Sequence, residues 1–142
     1  MIQKLSLARY ADVLKLWEKV GLKPRVEGRD HPNQMKDQIE SANVVLLGKL
    51  VSEKLVGVVL VSHDNRKGWI NRLTVHPDYQ NQGIGKELLL AAEEYLFDEE
   101  GIEVYSALIF ANNLVSKQCF IGAGYKQWEE VCYFSKRMRL DS

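Results

Sequence analysis

Charge of either sign is not in excess in this chain: 19 lysines and arginines balance 19 aspartates and glutamates over 142 residues. No dense basic cluster interrupts that balance. A phosphate-backbone binder needs several cations on one face, so the sequence argues against a nucleic-acid partner. Nor does net charge steer acidic or basic partners from a distance. Cysteine is scarce, with only Cys119 and Cys132 present. Their spacing makes neither a zinc ribbon nor a disulfide framework, and no metal site is expected. No apolar run approaches the length of a membrane span, and "MIQKLSLARYADV" lacks the continuous apolar stretch of a signal peptide. The expectation is a reducing cytoplasm without a membrane partner. Repeats, low-complexity tracts and linkers are missing too, so residues 1–142 read as one domain.

Hydrophobic residues make up 46% of the chain and charged residues 27%, an ordinary globular balance. A short strand fits Ile2–Leu5. Ser6 can cap a helix in which Leu7, Tyr10, Leu14 and Trp17 recur every three or four residues up to Gly21. "GLKPRVEGRD" reads as a loop, and Pro32 as the first turn of a second helix with Met35, Ile39 and Ala42 on one face. "NVVLLGKL", "KLVGVVLVS" and "GWINRLTV" are strands joined by short polar turns, which favours an antiparallel meander. A long helix starts near Gly83 with Ile84, Leu88, Ala91 or Ala92, and Tyr95 facing inward. "IEVYSALIF" is strand-like and "NLVSKQCFIGAG" helical, and "YKQWEEVCYFSKRM" reads as one long strand or two short ones. The order β-α-α-β-β-β-α-β-α-β implies an α+β fold, a mixed sheet with helices on both faces.

The junction "HPDYQNQGIGKELLL" (residues 76–90) joins a strand to that long helix through two glycines. Such a turn gathers backbone N–H groups at a helix N-terminus and suits an anion; it is also a turn that starts a helix. A dinucleotide fingerprint would need a third glycine where Leu88 stands. A P-loop would need glycine at Gln80 and a hydroxyl at Glu87. What remains is Gln80-x-x-Gly83-x-Gly85. This resembles the acetyl-CoA pyrophosphate loop of the GCN5-related N-acetyltransferase (GNAT) superfamily, and "RLTVHPDYQNQGIGKELL" resembles that family's wider signature. Asn113, Ser116, Phe120, Gly124 and Tyr125 match the spacing of its second motif, the helix lining the pantetheine arm. "LWEKVGL", "GRD" and "HDNRKGWINRLTV" are also similar to a small subgroup of uncharacterised acetyltransferases.

The resemblance implies a GNAT fold with a mostly antiparallel sheet of six or seven strands and about four helices. It implies acetyl-CoA as cosubstrate, held by Gln80, Asn81, Gln82, Gly83, Ile84, Gly85 and Lys86. Backbone groups of Leu73, Thr74 and Val75 would hold pantetheine, and Asn113, Ser116 and Phe120 the thioester end. The Leu73 N–H would polarise the thioester carbonyl. The reaction expected is direct acetyl transfer to a primary amine of a small molecule or peptide. A non-catalytic acyl-CoA or metabolite-binding module is the alternative. Homodimerisation is common in the family, which makes "WEEVCYFSKRM" a candidate dimer segment.

Two positions depart from the family. Its usual general acid, a tyrosine, is Phe120 here, and a phenyl ring cannot protonate a thiolate. Leu108 stands where one branch has a glutamate base. That leaves the thiolate to be protonated by the amine's own proton, by water or by another side chain; Tyr125 and Tyr133 are candidate donors, unless they simply pack in the core. Alternation in "WINRLTV" puts Trp69, Asn71, Leu73 and Val75 on one side, and Ile70, Arg72 and Thr74 on the other. Asn71 would then share the side of Leu73 and could order a water or hold an amine. Arg72 needs a carboxylate, from substrate or protein. Arg29, Asp30 and His31 lie in the variable loop expected to cover the acceptor, although Asp30 could instead cap a helix. His63 and Asp64 are titratable beside the catalytic strand, or part of a solvated turn. Cys119 reads as a packing residue, having no activating cation beside it.

Overall fold

The computed structural model describes all of residues 1–142. Along the chain run β1 (Ile2–Lys4), α1 (Tyr10–Lys19), α2 (Pro32–Glu40), β2 (Val44–Val51), β3 (Lys54–His63), β4 (Gly68–Val75), α3 (Ile84–Glu94), β5 (Tyr105–Ser106) and α4 (Leu114–Gly122). Single turns of 3-10 helix occupy Leu7–Arg9 and Pro77–Tyr79. The five strands lie in sequence order, antiparallel from β1 to β4 and parallel between β4 and β5. This is the mixed, mostly antiparallel α+β sheet that the element order predicts. Ser6 takes the extended N-cap conformation but makes no side-chain cap bond.

Local chemistry explains the hairpin. Val51 pairs with Lys54, and Ser52 and Glu53 between them both have positive φ, 49° and 68°. Two such residues make the turn whose twist matches antiparallel strands.

The sheet separates two apolar clusters. Val13, Leu16 and Trp17 of α1 and Met35 of α2 pack with Leu46, Leu55 and Val58 on one face. Ile84, Leu88, Leu89 and Ala92 of α3 and Phe120 of α4 pack with Val56, Val59, Val61 and Ile70 on the other. Each fully buried aliphatic side chain contributes about 1.5–3 kcal/mol. Gly57 belongs to this packing: a Cβ there would meet Ile84 Cγ2 and Leu88 Cδ1, both at 2.9 Å. A side chain at 57 would force these α3 methyl groups to shift.

The sheet has five strands rather than six or seven. Of "IEVYSALIF", only Tyr105–Ser106 pairs, opposite Gly68 and Trp69. Residues 125–138 form no strand. Past Ser106 the chain leaves β4, so no ladder extends to offer the last segment an edge. Trp128, Val131, Tyr133 and Phe134 are accordingly exposed.

β4 also breaks the alternation expected of it. The register passes from Leu60↔Asn71 to Val58↔Thr74, and Arg72 sits at φ 53°. Such a left-handed conformation costs a non-glycine residue about 1–2 kcal/mol. Directly paired residues share a face. Ile70, opposite Val61, therefore joins Leu73 and Val75 on the α3 and α4 side. Asn71, opposite Leu60, and Thr74, opposite Val58, face α1 and α2. The inserted residue thus moves Asn71 off the side of Leu73.

Candidate active site

The loop leaving β4 is shaped by two left-handed residues, Asn81 at φ 63° and Gly83 at φ 82°. Gly83 is the N-cap of α3, and its carbonyl accepts the Glu87 N–H at 3.0 Å. The first-turn N–H groups of Ile84, Gly85 and Lys86 have no intrahelical acceptor and point outward, where the helix dipole adds partial positive charge. Left-handed residues spaced in this way fold successive N–H groups into an anion-binding concavity. Gln80 Nε2 donates to the Val75 carbonyl at 3.2 Å, tying the loop to the strand. Ile84 is buried, whereas Asn81, Gln82 and Lys86 remain exposed. Glu87 is paired with Lys49 at 3.0 Å. Gly85 has no left-handed φ, and a Cβ there would make ordinary van der Waals contact with Cys119 Sγ at 3.4 Å and Val75 Cγ2 at 3.9 Å.

Between the loop and the start of β5, β4 loses its neighbour. Pairing with β5 stops at Trp69↔Ser106, so Leu73, Thr74 and Val75 have no β5 residues beside them. Their backbone groups on that edge are available to an extended ligand arm. Thr74 is buried and its Oγ1 donates to the Arg72 carbonyl at 2.9 Å. Asn113 caps α4, its Oδ1 accepting the Ser116 N–H at 3.2 Å.

Across the bulge, Arg72 Nη2 lies 2.9 Å from Asp30 Oδ2, and its guanidinium carbon sits 4.6 Å from the Trp17 ring centroid. The protein, rather than a substrate, supplies the carboxylate that Arg72 needs. Asp30 Oδ2 also accepts the Arg25 N–H, and its carbonyl accepts the Tyr10 hydroxyl at 2.7 Å. Burial, followed by the charge of Asp30, raises the Tyr10 phenol above its ordinary pKa. Asp30 therefore does not cap α2; His31 does, with Nδ1 accepting the Asn33 N–H at 3.1 Å. Arg29 is exposed, and its carbonyl accepts from Gln38 Nε2.

The β3–β4 hairpin contributes turn chemistry. Asp64 Oδ1 accepts the N–H groups of Lys67 and Arg66, and these bonds hold its carboxyl below the usual range. His63 is buried; Nδ1 accepts the Asn65 N–H, and Nε2 lies 3.6 Å from Glu100. It pairs with Gly68, five residues before Leu73 on β4, which at strand rise is roughly 15 Å away. Neither lies beside Leu73. Trp69 is half-buried, with Lys67 Nζ 5.3 Å from its ring centroid.

The acid candidates are accounted for as well. Phe120 is buried edge-on against Tyr125 at 5.0 Å. The Tyr125 hydroxyl donates to Glu93 Oε2 at 2.7 Å, and burial with that carboxylate raises its pKa. Tyr133 is 70% exposed rather than packed in the core, and Leu108 is exposed too. Cys119 is half-buried with its thiol pushed up by burial. No group of three His, Cys, Asp or Glu side chains is placed to hold a metal ion. Sequence reasoning missed Tyr10, Trp17 and Glu93 as parts of this region. Their partners are distant in the chain, and helical periodicity marks the first two only as core.

The family model described as "Acetyltransferase (GNAT) family" matches residues 12–125. UPF0157 protein YqkA of Bacillus subtilis (strain 168) is 33% identical over 98 residues, 69% of this chain and 27% of that one. The chain thus spans about a quarter of that curated relative's length. Among solved structures, an aminoglycoside acetyltransferase, meta-AAC0020 from an uncultured soil metagenomic sample, in complex with sisomicin, superposes with TM-score 0.80 at 19% identity. The match covers 98% of this chain and 96% of that one. The PaiA N-acetyltransferase of Thermoplasma acidophilum, in complex with coenzyme A, does so with TM-score 0.74 at 22% identity, covering 89% of each chain. A shared fold, a family match over most of the chain and a glycine loop opening α3 agree: this chain belongs to the GNAT acetyltransferase family.

Proposed function

We propose that this chain is an acetyl-CoA-dependent N-acetyltransferase acting on a primary amine of a small molecule or peptide. The observation that carries the reading is the continuity of two features. The nest at Asn81–Lys86 suits a diphosphate, and the β4 edge that runs up to it is unpaired from β5 beyond Trp69. A pantetheine arm lying along that edge meets the backbone of Val75, Thr74 and Leu73. The Leu73 N–H then faces the thioester carbonyl and stabilises the oxyanion as the amine nitrogen attacks. The C–N bond forms, the C–S bond breaks, and the nitrogen gives up its proton. The two solved relatives carrying coenzyme A and an aminoglycoside support this choice of cosubstrate and acceptor class.

Proton handling follows from what the side chains leave free. A lysine-like amine must lose a proton first, at about 4–5 kcal/mol at neutral pH. Asn71, on the α1 and α2 face, orders the water that carries that proton away, since an amide is not itself a base. Phe120 has no proton to give, and Tyr125 donates its own to Glu93. The leaving thiolate therefore takes a proton from the amine or from water. That lack of a side-chain acid is the observation favouring a second reading, a coenzyme A-binding module without turnover.

Turnover decides between them. Purified protein, acetyl-CoA and a panel of sisomicin, polyamines, amino acids and peptides are followed by thiol release. Release above the hydrolysis rate with at least one amine is expected. Tight coenzyme A binding with no amine raising release would overturn the enzyme reading and leave the binding module.

A further inference from the structure

Arg72 is an unusual residue to find at a bulge. It holds a left-handed backbone without being glycine, and it does so immediately before Leu73. Its side chain does not reach solvent for its partner. It crosses to Asp30, in the connection between α1 and α2, and stacks on Trp17 on the way. Asp30 is 2% exposed and closes its own loop: its carboxylate accepts the Arg25 N–H, its N–H donates to the Arg25 carbonyl at 3.0 Å, and its carbonyl receives Tyr10. Loop, helix α1 and strand bulge therefore meet at one ion pair.

We propose that Asp30 and Arg72 are a positioning pair that fixes the bulge of β4, and with it the direction of the Leu73 N–H, to the loop covering the acceptor side. The catalytic part rests on the acetyltransferase reading above; the mechanical part does not. Neither residue touches the reacting atoms. Each strained position in a protein persists only where its surroundings over-determine it, and here the guanidinium supplies that determination. Without the carboxylate, Arg72 would leave Trp17 for solvent. The peptide between Arg72 and Leu73 could then rotate towards the relaxed extended region, carrying the oxyanion donor with it. Lysine cannot replace the arginine, because a point charge neither stacks on the indole nor keeps the planar fork in place.

The test compares Asp30→Asn, Arg72→Lys and the Asp30→Asn/Arg72→Gln pair with the natural chain. Hydrogen exchange is followed in peptides spanning 21–31, 70–75 and 80–90. In both single variants, exchange at 21–31 and at 70–75 should rise together by about tenfold, with 80–90 unchanged. The double variant should be no worse than either single one, as expected of residues acting through one interaction. Calorimetric affinity for coenzyme A should stay within about twofold, while kcat with acetyl-CoA falls and KM for acetyl-CoA does not. A merely structural loop clip would loosen 21–31 alone, and continued protection of 70–75 overturns the proposal. If the natural chain binds coenzyme A but turns over no amine, the acetyltransferase reading fails while the exchange experiment still decides the positioning pair. Should Asp30→Asn fail to fold, Arg72→Lys, which keeps the charge, provides the same comparison.

Discussion

The Tyr125 hydroxyl donates to Glu93 Oε2 across 2.7 Å, joining the turn after α4 to helix α3. Burial and then this carboxylate hold the Tyr125 phenol protonated well above its ordinary range. Burial likewise raises Tyr10, and pushes Tyr95 up to about 12. A folded pKa above the unfolded value means that the unfolded chain releases its proton first. The stability linked to these phenols is therefore complete below about pH 10 and declines as pH rises through the folded values. Urea midpoints should fall steadily above about pH 10, and less so in Tyr125→Phe. A midpoint independent of alkaline pH would contradict the assignment.

Phe120→Tyr should not restore an acid. The ring is buried in the α3 and α4 cluster, edge-on to Tyr125, so a hydroxyl added there enters an apolar cluster. An unsatisfied buried group costs about 1–3 kcal/mol. The expected result is a lower melting temperature with kcat unchanged. A rise in kcat at constant stability would put position 120 within reach of the leaving sulfur.

The two loop glycines should fail differently. Gly83→Ala meets no neighbour but is strained by φ 82°, so it should lose about 1 kcal/mol of stability along with coenzyme A affinity. Gly85→Glu should abolish binding through clash beside Cys119 and charge in the nest, with calorimetry as the readout. Unchanged affinity in Gly85→Glu would displace the diphosphate from this loop.

The glycine junction, the helices and the order of strands were legible because they depend on residues adjacent in sequence. Gly83 announces its left-handed turn by identity alone. Arg72 does not: nothing in "WINRLTV" marks one residue as inserted, and its left-handed φ is held by contacts with Asp30 and Trp17. For that reason the alternation in "WINRLTV" does not carry through β4. The last segment misled in the opposite direction. "WEEVCYF" has the aromatic and β-branched residues that strands favour, but a strand needs an edge to join, and β5 ends at Ser106.

The thiols should react at different rates. Cys132 is exposed, whereas Cys119 is half-buried beside Gly85 with its thiol pushed up by burial. Only the thiolate attacks a disulfide reagent. A colorimetric titration at about pH 8 should therefore show one fast and one slow equivalent, the fast one lost in Cys132→Ser. Two equally fast equivalents in the native chain would show Cys119 to be accessible.

The close seating of α3 on Gly57 has a kinetic consequence. Ile84 and Leu88 fill the space that a side chain at 57 would occupy, which seats the helix start closely on the sheet. A preformed cradle incurs no ordering cost on association. Stopped-flow traces with coenzyme A should then show one phase whose rate climbs linearly with ligand concentration. A rate that levels off would reveal a slow rearrangement, and Gly57→Ala, by lifting the helix, should introduce one.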